Sequence, residues 1–442
     1  MAEFGKAPTG FLSAASLFEL FNRLFLNAAL YTRFHFSAIK HCLIPECAQW
    51  VCTMNKRPLY FDYAATTPVD DRVIQVMVEC LGFEGNFGNP ASGSHAFGQS
   101  ARQAVELARE QVAQLVNAQP EHIIWTSGAT ESNNLALKGV AQASRESRGH
   151  IITSQIEHKA VLDTAHFLEA SGFDVTYLTP DSNGLVSVEK VRAALRSDTL
   201  LVSLMLVNNE LGTVNDVPAI GRLVREHGAL FHVDAAQGAG KVAIDLQEWA
   251  VDLMSFSGHK FYGPKGIGAL YVGPRAQDRL QAQIHGGGHE SGLRSGTLAT
   301  HQIAGMGAAF AIARESFTQE LSHIKGLRER LLEQLADVPG VLCNGCPIQR
   351  IPHTLSLTFG EGHFNSSALS AVLAYSATSA CSSASKAPSH VLLAVGHDAD
   401  KAARTIRLSL GRFTREQDID VAVNAIKAAI AAPAPFWAVA QS

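Results

Sequence analysis

From His122 to Val233 the chain alternates short β-branched runs with stretches of helical periodicity, and this alternation constrains the fold more than any other feature. His122-Ile-Ile-Trp125 reads as a strand, Thr126 to Ser132 as a turn and Asn133 to Ala143 as a helix. Strand Ile151–Ser154, helix Ala160–Ser171, strand Val175–Leu178, helix Val188–Arg196, strand Leu200–Val207, helix Ile220–His227 and strand Leu230–Val233 follow. Strands interleaved with helices predict an α/β fold with a doubly wound, mainly parallel sheet, whose ligands sit beyond the carboxyl ends of the strands. Past Phe317 the pattern changes to a helix over Glu320–Leu335, a strand from Thr354 and a last helix from Ile419, the pattern of a smaller α+β domain. The expected layout is an extension over 1–53, a segment over 54–69 packing with the small domain, a large domain over 70–317, the small domain over 318–430 and a loose Pro/Ala-rich tail over 431–442.

Composition narrows the function. With 47% apolar and 17% charged residues the chain fits a globular enzyme, and a net charge of -4 without any Lys/Arg run argues against a nucleic-acid surface. Seven cysteines make no disulfide framework and suit a reducing compartment, so a cytoplasmic location is expected. Neither Cys343-x-x-Cys346 nor Cys42, Cys47 and Cys52 has the histidines or second pair of a zinc site, and no metal is expected. In residues 1–53, Glu19, Arg23 and Arg33 interrupt the apolar stretches, so no membrane-spanning helix is expected. This extension reads as a transit segment, which would make the location mitochondrial, as an appended amphipathic helix, or as sequence upstream of a start at Met54. The last is preferred, because Met54 directly precedes a sharply patterned strand.

The chemistry gathers at the strand ends. Lys260 lies in Ser257-Gly-His-Lys260, between two apolar runs and before a Gly/Pro-dense turn. It is either a surface lysine in a loop or a buried amine that must be paired, neutralised or used covalently. Thr126-Ser-Gly-Ala-Thr-Glu-Ser132 runs from strand to helix, so the N–H groups of Ala129 and Thr130 form a phosphate cradle or a plain helix cap. Gly263-x-x-Gly266-x-Gly268 lacks the dinucleotide-fold context, and Gly240-Lys241-Val242 is no phosphate-binding P-loop. Asp234 closes a strand with a carboxylate. An amine, a carboxylate and a phosphate cradle together are the set that pyridoxal phosphate requires.

Ten segments now carry a resemblance. Phe61-Asp-Tyr-Ala-Ala-Thr-Thr-Pro68, Phe87-Gly-Asn-Pro-Ala-Ser92, the Thr126–Ser132 loop, Ile156-Glu-His-Lys159 and Val207-Asn-Asn-Glu210 are the first five. Val233-Asp-Ala-Ala-Gln237, Ser257–Lys260, Gly286-Gly-Gly-His-Glu290, Arg294-Ser-Gly-Thr-Leu298 and Ile406-Arg-Leu-Ser-Leu-Gly-Arg-Phe413 complete them. In this order they resemble the motifs of the class V aminotransferase-like cysteine desulfurases, nearest the housekeeping type of iron–sulfur cluster assembly, over residues 57 to 427. The resemblance implies a fold-type I pyridoxal phosphate enzyme in which Lys260 binds the cofactor covalently and Asp234 pairs with its ring nitrogen. His158 stacks on the ring, Gln237 donates to the phenolic oxygen, and Ala129, Thr130, Ser257 and His259 hold the phosphate. Thr297 reaches the phosphate from a neighbouring subunit, implying a homodimer, while Asn208 and Arg407 bind the substrate, L-cysteine.

Cys381, in a run of small residues, matches the persulfide-forming cysteine of that family. The implied reaction frees Lys260 to take the substrate's α-proton, lets the Cys381 thiolate attack the substrate sulfur and releases alanine. The persulfide would then supply a cluster scaffold or sulfur carrier. Three departures bear on this: Thr378 stands where a glycine is usual, Ser291 where an arginine is common, and the tail lacks the family's scaffold-contacting character. The alternatives are a selenocysteine lyase or aminotransferase of the same fold, or a weakly catalytic sulfur-carrier subunit.

Overall fold

The computed structural model describes residues 57–144, 149–360, 364–377 and 387–431. Strand β1 (Leu59–Tyr60) leads into α1 (Asp71–Val78), α2 (Ala96–Leu115), β2 (Ile123–Thr126), α3 (Ala129–Ala143), β3 (His150–Ser154), α4 (Lys159–Ala170) and β4 (Asp174–Leu178). Next come α5 (Val188–Ala194), β5 (Thr199–Met205), α6 (Val217–His227), β6 (Leu230–Asp234), β7 (Leu253–Ser257), β8 (Gly268–Val272) and α7 (Thr300–Leu335). Strands β9 (Leu342–Asn344) and β10 (Thr354–Thr358), α8 (Ser366–Ser370), β11 (Leu373–Ala374), β12 (Ser376–Ala377), α9 (His390–Ala394), α10 (Ala399–Ala403), β13 (Thr405–Ser409) and α11 (Glu416–Ala431) complete it.

The main sheet runs β2-β8-β7-β6-β5-β3-β4, and β8 alone opposes its neighbours. Helices cover both faces, so β3, β6, β7 and β8 are buried at every position, which is why they read as near-continuous apolar runs. One buried polar group in the middle of the sheet, His232, is satisfied: it bridges Ser203 Oγ on β5 at 2.8 Å and Ser255 Oγ on β7 at 2.9 Å. Burial pushes its imidazole down to about 3, so it is a neutral core group.

The second sheet, β12-β13-β10-β9, is antiparallel and packs its own core of Leu355, Leu357, Ile406 and Leu408 with residues of α7 and α11. Phe61 is buried in that same core, and β1 pairs in parallel with β11. The segment that follows β1 is therefore strung from the small sheet to the carboxyl ends of the large one.

Two boundaries differ from the sequence expectation. Helix α3 starts at Ala129 rather than Asn133, because Gly128, with φ 152°, makes the turn in one residue. Ser132 and Asn133, which carry turn chemistry, are buried inside the helix. Helix α7 begins at Thr300, not Glu320, and so runs straight through position 317. Its first half contains Gly305 and Gly307, which lower helix propensity. A Cβ at Gly307 would lie 2.5 Å from Ala108 Cα of α2, so that glycine permits close helix packing rather than a turn.

Candidate active site

The carboxyl ends of β2, β5, β6 and β7 converge on a cleft of about 480 Å³. Its walls include Lys260, Asp234, Gln237, Ser257, His259, His158, Ala129, Thr130 and Arg407. Residues separated by up to 278 positions thus meet where the parallel sheet ends, which is the position such sheets reserve for ligands.

Lys260 ends a single 3-10 turn, Gly258–Lys260, directly after β7. Its Nζ donates to the carbonyls of Ala64 at 2.9 Å and Ala65 at 2.8 Å. Burial, and then the Arg407 guanidinium, push its amine down to about 8, against the opposing pull of Asp234 and Asp62. The surface-lysine alternative fails on this burial: the amine sits inside the cleft, partly neutral near physiological pH.

Asp234 closes β6 and is 5% exposed. One carboxylate oxygen accepts from Asn133 Nδ2 at 2.8 Å and the other from the Ala236 N–H at 2.9 Å, which fixes its plane. Gln237 donates from Nε2 to Ala64 O at 2.8 Å. His158 caps α4, its Nδ1 accepting from the Ala160 N–H at 3.1 Å. The ring is exposed by area because it opens onto the cleft, yet the surrounding protein atoms desolvate it and hold its pKa below the ordinary imidazole value.

At the other end of the cleft, helix α3 starts with no side-chain cap. Ala129 and Thr130 form its first turn, where N–H groups and the helix dipole favour an anion. Ser257, His259 and Lys265 line the same region. Burial and the charges of Lys260, Lys265 and Lys241 push His259 down to about 4, so it is neutral, and it bonds Thr66 Oγ1 at 3.1 Å.

Arg407 enters from β13 of the small sheet. Its Nη2 donates to Asp62 Oδ1 at 2.9 Å and Ser376 Oγ at 2.7 Å, and its Nη1 to Asn209 O at 3.0 Å. Asn208 lies beside the cleft, in its wall. Its amide accepts from the N–H groups of Glu210 and Leu211 and donates to Ile156 O at 3.0 Å, so it ties the wall together while Asn209 lines the cleft. Thr297 is exposed and is not among the residues lining this chain's own cleft. Cys381 and Thr378 lie outside the described residues.

Comparisons with known proteins give the family and the fold. The profile of the aminotransferase class-V family matches residues 59–421. The chain belongs to that family. Within it, the chain groups with the cysteine desulfurases: it is 58% identical to cysteine desulfurase IscS of Azotobacter vinelandii over 376 residues, 85% of this chain and 93% of that protein. The solved structure of a NifS-like protein superposes with a TM-score of 0.77 at 38% identity, covering 84% of this chain and 98% of that one. The structure of SspA in complex with cysteine superposes with a TM-score of 0.72 at 42% identity, covering 81% and 100%.

The enzyme is a cysteine desulfurase dependent on pyridoxal phosphate. The residues present fit that cofactor: a buried amine, a carboxylate fixed by two donors and an uncapped helix start face one cleft. Lys260 would hold the aldehyde carbon, Asp234 the ring nitrogen, and the α3 terminus with Ser257 and His259 the phosphate. Bound there, the cofactor supplies an electron sink for the substrate's α-carbon. Sequence reasoning missed Asp62, Asn133, Asn209 and Ser376. The first three lie in or beside quoted motifs, but their partners are so distant in sequence that no local signal assigns them a contact.

Proposed function

We propose that this cysteine desulfurase moves the sulfur of L-cysteine onto its own Cys381 as a persulfide and releases alanine. Arg407 receives the substrate α-carboxylate, for which its planar, bidentate donor fork is suited. The Lys260 amine, partly neutral because its pKa is pushed down to about 8, takes the proton from the substrate's α-carbon. Asp234, held by Asn133 and Ala236, keeps the ring nitrogen of the cofactor protonated. The Cys381 thiolate attacks the substrate sulfur. A sulfur–sulfur bond forms as the carbon–sulfur bond breaks, and that bond's electrons stay with the substrate carbon, which takes a proton to become the alanine methyl group.

The reading extends to a homodimer in which Thr297 serves the partner's cleft. Supporting it, Thr297 is exposed, and Phe83, Phe87 and Phe97 form a mutually packed aromatic patch on the surface, with Phe83 73% exposed. It also extends to a cytoplasmic setting and to delivery of the sulfur to a cluster scaffold or sulfur carrier.

The observation that carries this reading is that Lys260, from the end of β7, Asp234, from the end of β6, and Arg407, from the other sheet, line one cleft. Protein made from Met1 and from Met54 should convert L-cysteine, in the presence of a thiol reductant, to equal amounts of alanine and sulfide. Cys381→Ala should lose sulfide release while retaining the absorbance of bound cofactor. Wild-type protein that yields neither product, or Lys260→Ala with full activity, would overturn the reading.

A further inference from the structure

Lys241 lines a second cavity next to the cleft, which shares Ala64 and Lys260 with it. Its Nζ donates to Gln237 Oε1 at 3.0 Å, and it shares a small cavity with Lys260, His353, Glu320 and Arg412. Lys241 has no carboxylate of its own among the described residues. Glu320, whose charge reaches it, is bound to Arg412 at 2.8 Å. His353 is 4% exposed and neither ring nitrogen has a partner. Among the described residues the Gln237 amide is therefore the side-chain hydrogen-bond partner of this lysine.

The chemistry of the pair is asymmetric. An ammonium or amine on this stem donates, so Lys241 draws the oxygen end of the amide toward itself. The nitrogen end gives one hydrogen to the Ala64 carbonyl at 2.8 Å, and its second hydrogen has no protein partner among the described residues, while Gln237 itself lines the cleft. Ala64 O also receives Lys260 Nζ, so its hold on Gln237 is shared.

We propose that Lys241 is a positioning residue: it orients the Gln237 side chain so that an N–H rather than an oxygen faces the phenolic oxygen of the cofactor. The inference rests on the contact between Gln237 and that oxygen expected from the family resemblance, and it adds the residue that decides which end of the amide makes it. Without Lys241 the amide can rotate and present a lone pair to a phenolate, which repels it.

The test is a double-mutant cycle on the holoenzyme, read by titrating the absorbance of the lysine-bound cofactor against pH. Removing the donor leaves more negative charge on the phenolic oxygen, which holds the neighbouring proton more tightly, so the midpoint rises. Gln237→Ala should raise it by about one pH unit, the size of one lost hydrogen bond to a charged oxygen. Lys241→Met should raise it in the same direction by a smaller amount, and the double variant should match Gln237→Ala alone. If Lys241→Met fails to fold, Lys241→Gln, which keeps a donor on a shorter stem, should give a smaller rise in midpoint than Gln237→Ala. An unmoved midpoint in Gln237→Ala would overturn the Gln237 contact and the inference with it. A moved midpoint in Gln237→Ala with none in the lysine variant would overturn the inference alone. So would additive shifts, which would mean that Lys241 acts through its charge.

Discussion

Arg407 Nη2 lies 2.9 Å from Asp62 Oδ1, and this ion pair joins the small-sheet strand β13 to the segment that supplies the carbonyls around Lys260. Ser376 Oγ bonds both partners, at 2.7 Å to Arg407 and 2.8 Å to Asp62, so the guanidinium plane is fixed before any substrate arrives. Arg407→Lys keeps the charge but loses the fork. We expect kcat/KM for L-cysteine to fall by roughly 100-fold, about 3 kcal/mol, chiefly through KM, with the cofactor absorbance unchanged. An unaltered KM would show that the carboxylate binds elsewhere.

The pH behaviour of the cofactor-free enzyme follows from two lysines. Folding lowers the Lys260 amine to about 8 and the Lys241 amine to about 7, in both cases first by burial. Between those values and the ordinary lysine pKa the unfolded chain binds more protons than the native one, so stability rises with pH across that window and the penalty is fully present below it. The urea midpoint of the apoenzyme should therefore increase between about pH 7 and pH 10, and less so in Lys260→Met. Capture of added pyridoxal phosphate should accelerate with a midpoint near 8, followed by absorbance.

Glu290 sits at φ 51° at the start of a left-handed pair with Ser291, a conformation costly for a side-chain-bearing residue. What holds it there is buried: Arg109 Nη1 and Nη2 donate to its carboxylate at 2.8 and 3.0 Å, and the Trp125 N–H of β2 donates at 2.8 Å. Glu290→Ala leaves Arg109, which is 9% exposed, with the Glu106 carboxylate at 3.0 Å and the Ile123 carbonyl, and should cost about 1–3 kcal/mol by chemical denaturation. A change below about 1 kcal/mol would mean that water replaces the carboxylate freely.

The two glycines of α7 should part company. A Cβ at Gly307 meets the Ala108 backbone at 2.5 Å, whereas one at Gly305 meets the flexible Met77 side chain at 2.6 Å. Gly307→Ala should destabilise by about 1–3 kcal/mol although alanine is the better helix former, and Gly305→Ala should cost less because methionine can repack. Equal thermal midpoints for the two variants would contradict the packing argument.

The sequence by itself determined the alternating strands and helices and the parallel sheet, and it marked the residues proposed for the site. Period and burial leave a local signature: β6 and β7 are buried on both faces and read as apolar runs, and Asp234 and Ser257-Gly-His-Lys260 mark where those runs stop. Only the tertiary structure decided what those residues touch. The Lys260 amine needed the carbonyls of Ala64 and Ala65, 196 and 195 residues away, and Arg407 needed Asp62, 345 residues away. The same holds for the roles of Asn208 and Asn209, adjacent amides of identical chemistry. A turn that closes on Asn208 through the Glu210 and Leu211 N–H groups turns one into the wall and leaves the other to line the cleft. Hydrophobic periodicity records which face of an element is buried. It carries no record of which distant backbone group will be waiting there, because that depends on how the two sheets meet.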